Sequence, residues 1–169
     1  MPTEVPLVAD QVASFNAADA VRGMDFEAVK RIIPQRFPFL MLDRIIEVRP
    51  GISAIGLKNL TGNEWFYQGH FPKRAVTPGA MITEAVAQTG IVFFHCSRDA
   101  DAERDVTYLL GAVRMRFLEP VWPGDQLRME VAAIKMLRES AMLSVRALVE
   151  DRVVAKGELS LSAKPNRQL

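Results

Sequence analysis

Residues 80–96, AMITEAVAQTGIVFFHC, decide how the rest of the chain is read. The run is apolar on nearly every side and spans about four and a half helical turns, so it predicts a buried central helix. Thr83, Glu84, Gln88 and Thr89 break it too often for a membrane span. Thr77-Pro78-Gly79 stands just before it. Thr77 is the expected cap, and Pro78 suits the first helical position, where a missing N–H costs nothing.

A helix apolar on most faces has to be surrounded, and both flanks supply strands. Upstream, Phe39–Val48, the turn Arg49-Pro50-Gly51 and a return run Ile52–Leu60 predict a hairpin. Before it, Asp25 is expected to cap a short helix with Phe26, Val29, Ile32 and Ile33 on one side, ended by Pro34. Downstream of a polar loop, consecutive antiparallel strands are expected over 106–117, 126–137, 141–149 and 153–163. Pro123-Gly124-Asp125 and Glu150-Asp151-Arg152 mark two of the turns. A curved antiparallel sheet wrapped around one long helix satisfies this pattern, an α+β fold. Residues 1–24, small and polar with weak periodicity, read as an N-terminal arm, and 25–169 as one domain.

Composition narrows the partners. The 169 residues are 49 % hydrophobic and 24 % charged, with a net charge of +1, which gives no general pull toward nucleic acid. The single cysteine, Cys96, excludes an internal disulfide and cannot build a zinc cluster by itself. The first residues lack a basic start followed by an apolar run, so no secretory signal is read, and a soluble cytoplasmic protein is expected.

Residues 61–79, rich in glycine, proline and aromatics, form an irregular crossing of about twenty residues, a length that compact domains usually reserve for function. One of the two histidines, His70, lies here in Gly69-His70-Phe71-Pro72. Glu84 falls in the second turn of the buried helix, where a carboxylate is costly unless paired; service as a proton donor is one explanation. Gln88, one turn on, is placed to hold Glu84 by a hydrogen bond. His95 shares that face but lies roughly 16 Å along the axis, too far to pair with Glu84 within one chain. His70 is the better partner, because its loop must return to the helix start. There the first N–H groups lack partners and carry partial positive charge, and Gly79 lets a substrate carbonyl approach closely. Ordinary roles stand beside these: a packed histidine, a glutamate paired with an arginine, a glycine that only caps.

The segments IIPQRFPFLMLDRIIEVRPG, NEWFYQGHFPKRAVTPGAMITEAVAQTG and YLLGAVRMRFLEPVWPGDQL resemble the 3-hydroxyacyl-acyl carrier protein dehydratases of bacterial type II fatty acid synthesis. The likeness runs from about Asp25 to about Ser162. It implies the hot-dog fold and, without metal or other cofactor, dehydration of a (3R)-hydroxyacyl thioester on acyl carrier protein to the trans-2-enoyl thioester. The resemblance assigns His70 as the base at C2, Glu84 as the group that handles the C3 hydroxyl, and the Gly79 N–H as the carbonyl site. It implies that the histidine and acid of one site come from opposite subunits of a homodimer, commonly assembled into a trimer of dimers. Tyr108 and Phe71 fall where the acyl tunnel is lined or gated, although Tyr108 reads equally well as a core aromatic. Glu84, where the isomerising branch has aspartate, is similar to the dehydratase-only branch.

Departures from the pattern are Gln35 in place of a histidine, Lys73-Arg74-Ala75 after the His70 motif, Thr77 in place of a methionine, and Leu118-Glu119 in place of basic residues that help meet an acidic carrier. They leave open a specialised lipid or polyketide-like pathway and coenzyme A as the carrier. Two other functions fit a hot-dog chain: an acyl thioesterase, and a non-catalytic subunit that binds acyl chains.

Overall fold

Helix α2 (Gly79–Ser97) is buried without interruption from Ala85 to Phe94. A stretch with no polar face cannot be a surface helix, and here a sheet encloses it. The computed structural model describes residues 21–99, 102 and 105–168. Around α2 run β1 (Val21–Met24), α1 (Phe26–Ile32), β2 (Arg44–Arg49), β3 (Ser53–Asn59), β4 (Val106–Phe117), β5 (Gln126–Leu137), β6 (Ser140–Val149) and β7 (Arg152–Pro165). The strands form one 7-stranded sheet in the order β1-β2-β3-β5-β6-β7-β4, antiparallel throughout. This is the α+β hot-dog arrangement.

Local chemistry explains most boundaries. The Ala28 N–H donates to Asp25 Oδ1 at 2.8 Å, so Asp25 caps α1. Gly51 and Gly124 take positive φ of 73° and 99° in the turns after β2 and before β5. Strand β6 alternates buried Ala141, Leu143, Val145, Ala147 and Val149 with outward residues, and the buried set faces α2. Contact there is close: a Cβ added at Gly90 would lie 2.9 Å from Leu143 and 3.2 Å from Leu161. Only glycine lets the helix backbone rest on β6 and β7 at that distance. Among the described residues no helix is long and apolar enough to cross a membrane.

Four expectations need correction or extension. Of the strands after α2, β5, β6 and β7 pair in consecutive order, whereas β4 does not pair with β5: it sits at the far edge beside β7, and β5 lies against β3. The first hairpin strand begins at Arg44 rather than Phe39, since the Phe39 carbonyl and the Met41 N–H are both taken by the Gln88 side chain. Thr77 is not the cap of α2; Pro78 occupies that position without a side-chain hydrogen bond. Finally, β1 takes in the last four residues of the expected arm, whose first twenty lie outside the described residues.

Candidate active site

The loop that carries His70 is fastened by its own backbone. A short 3₁₀ turn, Trp65–Gln68, delivers the chain to Gly69, and the His70 N–H donates to the Phe66 carbonyl at 3.0 Å. Six residues later the Val76 N–H donates to the His70 carbonyl at 3.1 Å. In return, His70 Nδ1 lies 2.9 Å from the Val76 carbonyl oxygen. A carbonyl can only accept, so Nδ1 carries the hydrogen and the neutral ring keeps its lone pair on Nε2. Nε2 is the basic atom, and no group among the described residues hydrogen-bonds to it. The ring is half-buried and stacks on Phe71, centroids 4.0 Å apart.

Glu84 is fixed by a similar elimination. The Met41 N–H donates to Gln88 Oε1 at 2.7 Å, which identifies that atom as the amide oxygen. The other end is therefore the NH₂ group, donating to the Phe39 carbonyl and to Glu84 Oε1, each at 2.7 Å. Gln88 is 0 % exposed, and all its strong hydrogen-bonding groups are engaged, as burial demands. Because Glu84 Oε1 accepts from Gln88, a proton on this carboxyl belongs on Oε2. Glu84 itself is half-buried, so Oε2 is the oxygen left for a substrate.

The third element is the start of α2. Met81 and Ile82 N–H donate to the Pro78 carbonyl at 2.9 and 3.2 Å, whereas the Gly79 N–H has no acceptor among the described residues. A cavity of about 370 Å³ opens here, lined by Thr77, Gly79, Ile82, Phe117, Glu119 and Val121 among others. Phe117 lies directly on Gly79: a Cβ there would be 2.9–3.0 Å from three ring atoms. Contact with Phe117 alone leaves no room for a side chain at 79.

Gly79 shares the Thr77–Gly79 strap with the His70 loop, and Glu84 shares a helix with Gly79. Yet no hydrogen bond or ion pair joins His70 to Glu84 among the described residues of the chain. His95 lies in the last turn of α2, its Nδ1 3.0 Å from the Tyr108 hydroxyl. Tyr108 is 8 % exposed and packs edge-to-face on Phe94, at the opposite end of the helix from Gly79. Phe71 is 54 % exposed. The departures Leu118 and Glu119 sit at the cavity rim, and Glu119 pairs with Arg152.

Two participants escaped the sequence. Val76 acts through its carbonyl, and a backbone acceptor has no side-chain signature. Phe117 lies within a quoted motif, but nothing in its spacing points to Gly79, 38 residues earlier in the sequence. A second hollow, about 260 Å³, lies on the sheet at Ser53, Glu130 and Arg146. There burial works to raise the Glu130 pKa, but hydrogen bonds from Arg128 and Arg146 at 3.0 and 3.1 Å outweigh it and hold the carboxyl below its ordinary value. A carboxylate clamped between two guanidiniums is a poor proton donor. Among the described residues no group of three or more His, Cys, Asp or Glu side chains is placed to hold a metal.

Comparison with known proteins bears on the fold and the family. A family model described as a FabA-like domain matches residues 33–158. The 3-hydroxyacyl-acyl-carrier-protein dehydratase FabZ of Geotalea uraniireducens (strain Rf4) is 42 % identical over 136 residues, covering 80 % of this chain and 94 % of that protein. The protein of the same name from Roseiflexus castenholzii is 40 % identical over 144 residues, covering 85 % and 99 %. Among solved structures, the dehydratase heterocomplex ApeI:P from Xenorhabdus doucetiae aligns with a TM-score of 0.67 at 17 % identity, covering 82 % of this chain and 92 % of that one. Cj0977 of Campylobacter jejuni aligns with a TM-score of 0.60 at 16 % identity, covering 85 % and 93 %. At such identities the structures show the fold alone. The family match and the relatives carry more, and the chain belongs to the FabA-like family of 3-hydroxyacyl-acyl-carrier-protein dehydratases.

Proposed function

We propose that this chain is a cytoplasmic hydro-lyase that converts a (3R)-hydroxyacyl thioester on acyl carrier protein to the trans-2-enoyl thioester. The observation that carries it is a ring nitrogen and a carboxyl oxygen, each left open because its twin atom is engaged by a neighbour. His70 offers a bare Nε2, because Nδ1–H is spent on the Val76 carbonyl. Glu84 presents Oε2 to the C3 hydroxyl, because Oε1 accepts from Gln88. The thioester carbonyl binds the free Gly79 N–H at the positive end of α2, which acidifies the C2 protons. His70 Nε2 removes one of them, and that C–H electron pair becomes the C2–C3 double bond. The C3–O bond breaks as Glu84 delivers its proton, and the hydroxyl leaves as water. Phe71, stacked on His70, and Tyr108, at the far end of α2, serve as walls for the acyl chain. The machinery lies in one domain that follows the N-terminal arm.

The working unit is two chains. Strand β4 ends the sheet of the described residues, with β7 on one side of it, and long sheet edges recruit partners. Leu110, Val113 and Phe117 pair with buried Leu161, Leu159 and Ala155, so they share the face that packs on α2. They are nevertheless 40–50 % exposed, at 43 %, 42 % and 50 %. A second copy of β4 would cover them and bring His70 of one chain to Glu84 of the other; a trimer of such dimers is the larger assembly. Replacing Val113 and Leu110 together by lysine is expected to halve the mass seen by light scattering and to cut activity on the order of a hundredfold.

The function is tested by incubating the protein with 3-hydroxybutyryl and crotonyl thioesters on acyl carrier protein. Interconversion of the two without loss of the thioester is expected. Release of free thiol with no hydration would replace the dehydratase by a thioesterase, and neither reaction at any acyl length would leave an acyl-binding subunit.

A further inference from the structure

Two buried hydroxyls that the reaction scheme does not use face each other across the base of the His70 loop. The Tyr67 hydroxyl lies 2.7 Å from Thr77 Oγ1, and the two residues are 7 % and 5 % exposed. Burying a hydroxyl costs free energy unless it is paired. Phenylalanine and valine would fill the same space without that cost, so packing alone does not account for the pair. Its position does. Tyr67 stands in the 3₁₀ turn that leads into His70, and Thr77 is in the returning strap, one residue after Val76 and two before Gly79.

That strap serves both ends of the site. Val76 supplies the carbonyl that sets the His70 ring, and Gly79 supplies the free N–H. On its far side the strap is held by the Thr77 N–H, which donates to the Val121 carbonyl at 2.8 Å. On its near side the side-chain tie between the two stems is the Tyr67–Thr77 bond. Resting on the reading of His70 and Gly79 given above, we propose that this bond is the clasp of the catalytic loop, and that Tyr67 is a positioning residue for both the base and the carbonyl site. Burial, helped by the Glu64 and Asp125 carboxylates, lifts the Tyr67 phenol above its ordinary pKa against the lowering pull of the Thr77 hydrogen bond. The clasp therefore stays protonated wherever the enzyme works.

Tyr67→Phe removes one oxygen and leaves the ring. The clasp predicts a kcat on the order of tenfold lower with KM within about twofold, because ground-state binding does not need the last tenths of an ångström. It also predicts that the His70 Nδ1 proton, followed by NMR, exchanges with water about tenfold faster, since its partner Val76 has gained freedom. The double variant Tyr67→Phe/Thr77→Val removes both hydroxyls, so it recovers melting temperature by ending the buried mismatch. It is expected to keep the low kcat and the fast exchange. If Tyr67→Phe matches the parent in kcat and in exchange, or if the double variant regains both along with its stability, the pair is only a matched burial and the proposal fails. Should the parent lack dehydratase activity altogether, the functional reading fails separately, and the exchange measurement alone decides the clasp.

Discussion

His70→Ala lowers kcat for dehydration by on the order of 10³- to 10⁴-fold and leaves KM nearly unchanged. The size follows from what is lost. Alanine removes the atom that takes the C2 proton, and no other imidazole can substitute, because His95 sits at the opposite end of α2 beside Tyr108. KM holds because the carbonyl site at Gly79 and the cavity walls are untouched. Stability moves little: the change costs one side-chain hydrogen bond to Val76 and a ring contact with Phe71, about 1–2 kcal/mol together. The loop keeps its backbone bonds at Phe66 and Val76. Steady-state kinetics with carrier-bound substrate, alongside a melting curve, separate these effects. A tenfold loss or less would remove His70 from the role of base.

Glu84→Gln produces a comparable fall, about 10³-fold in kcat, with the melting temperature within a few degrees of the parent. The substitution is nearly isosteric. The new amide oxygen still accepts from Gln88, so Gln88 keeps its bonds to Phe39 and Met41. What changes is the second terminus, where an NH₂ can donate a hydrogen bond to the C3 hydroxyl but cannot give up a proton to it. Glu84→Asp keeps the acid but draws it back by one methylene from Gln88, and is expected to retain more activity than Glu84→Gln. Combining His70→Ala with Glu84→Gln should cost little beyond the worse single change, because two groups acting on one transition state do not contribute additively.

Much of the fold was legible because its signals are local. The all-round apolarity of 80–96 announced an enclosed helix, and α2 spans Gly79–Ser97. The limits of β4 and β5 follow from the polar loop before the first and the Pro123-Gly124-Asp125 turn between them. Strand neighbours were not legible, because alternation tells which face a residue takes and not which strand lies beside it. Hence the run of consecutive antiparallel strands did not reveal that β4 lies beside β7 and not β5. The Thr77 cap failed for a related reason: its hydroxyl has a nonlocal partner, Tyr67, that helix-start statistics cannot see. At the site, His70, Glu84 and Gln88 were readable because buried polar side chains stand out in an apolar helix and a glycine-bounded loop. Val76 and Phe117 were not, one acting through its backbone and the other through a tertiary contact.

The claim at the centre is that one site takes His70 from one chain and Glu84 from another. It is tested most directly by mixing the inactive His70→Ala and Glu84→Gln proteins, exchanging subunits, and assaying dehydration. Random exchange gives mixed dimers in which one of the two sites keeps both native groups, so about a quarter of the parent activity should return. Mixed dimers that form, as native mass spectrometry would register, and yet stay as inactive as either variant would contradict the shared site.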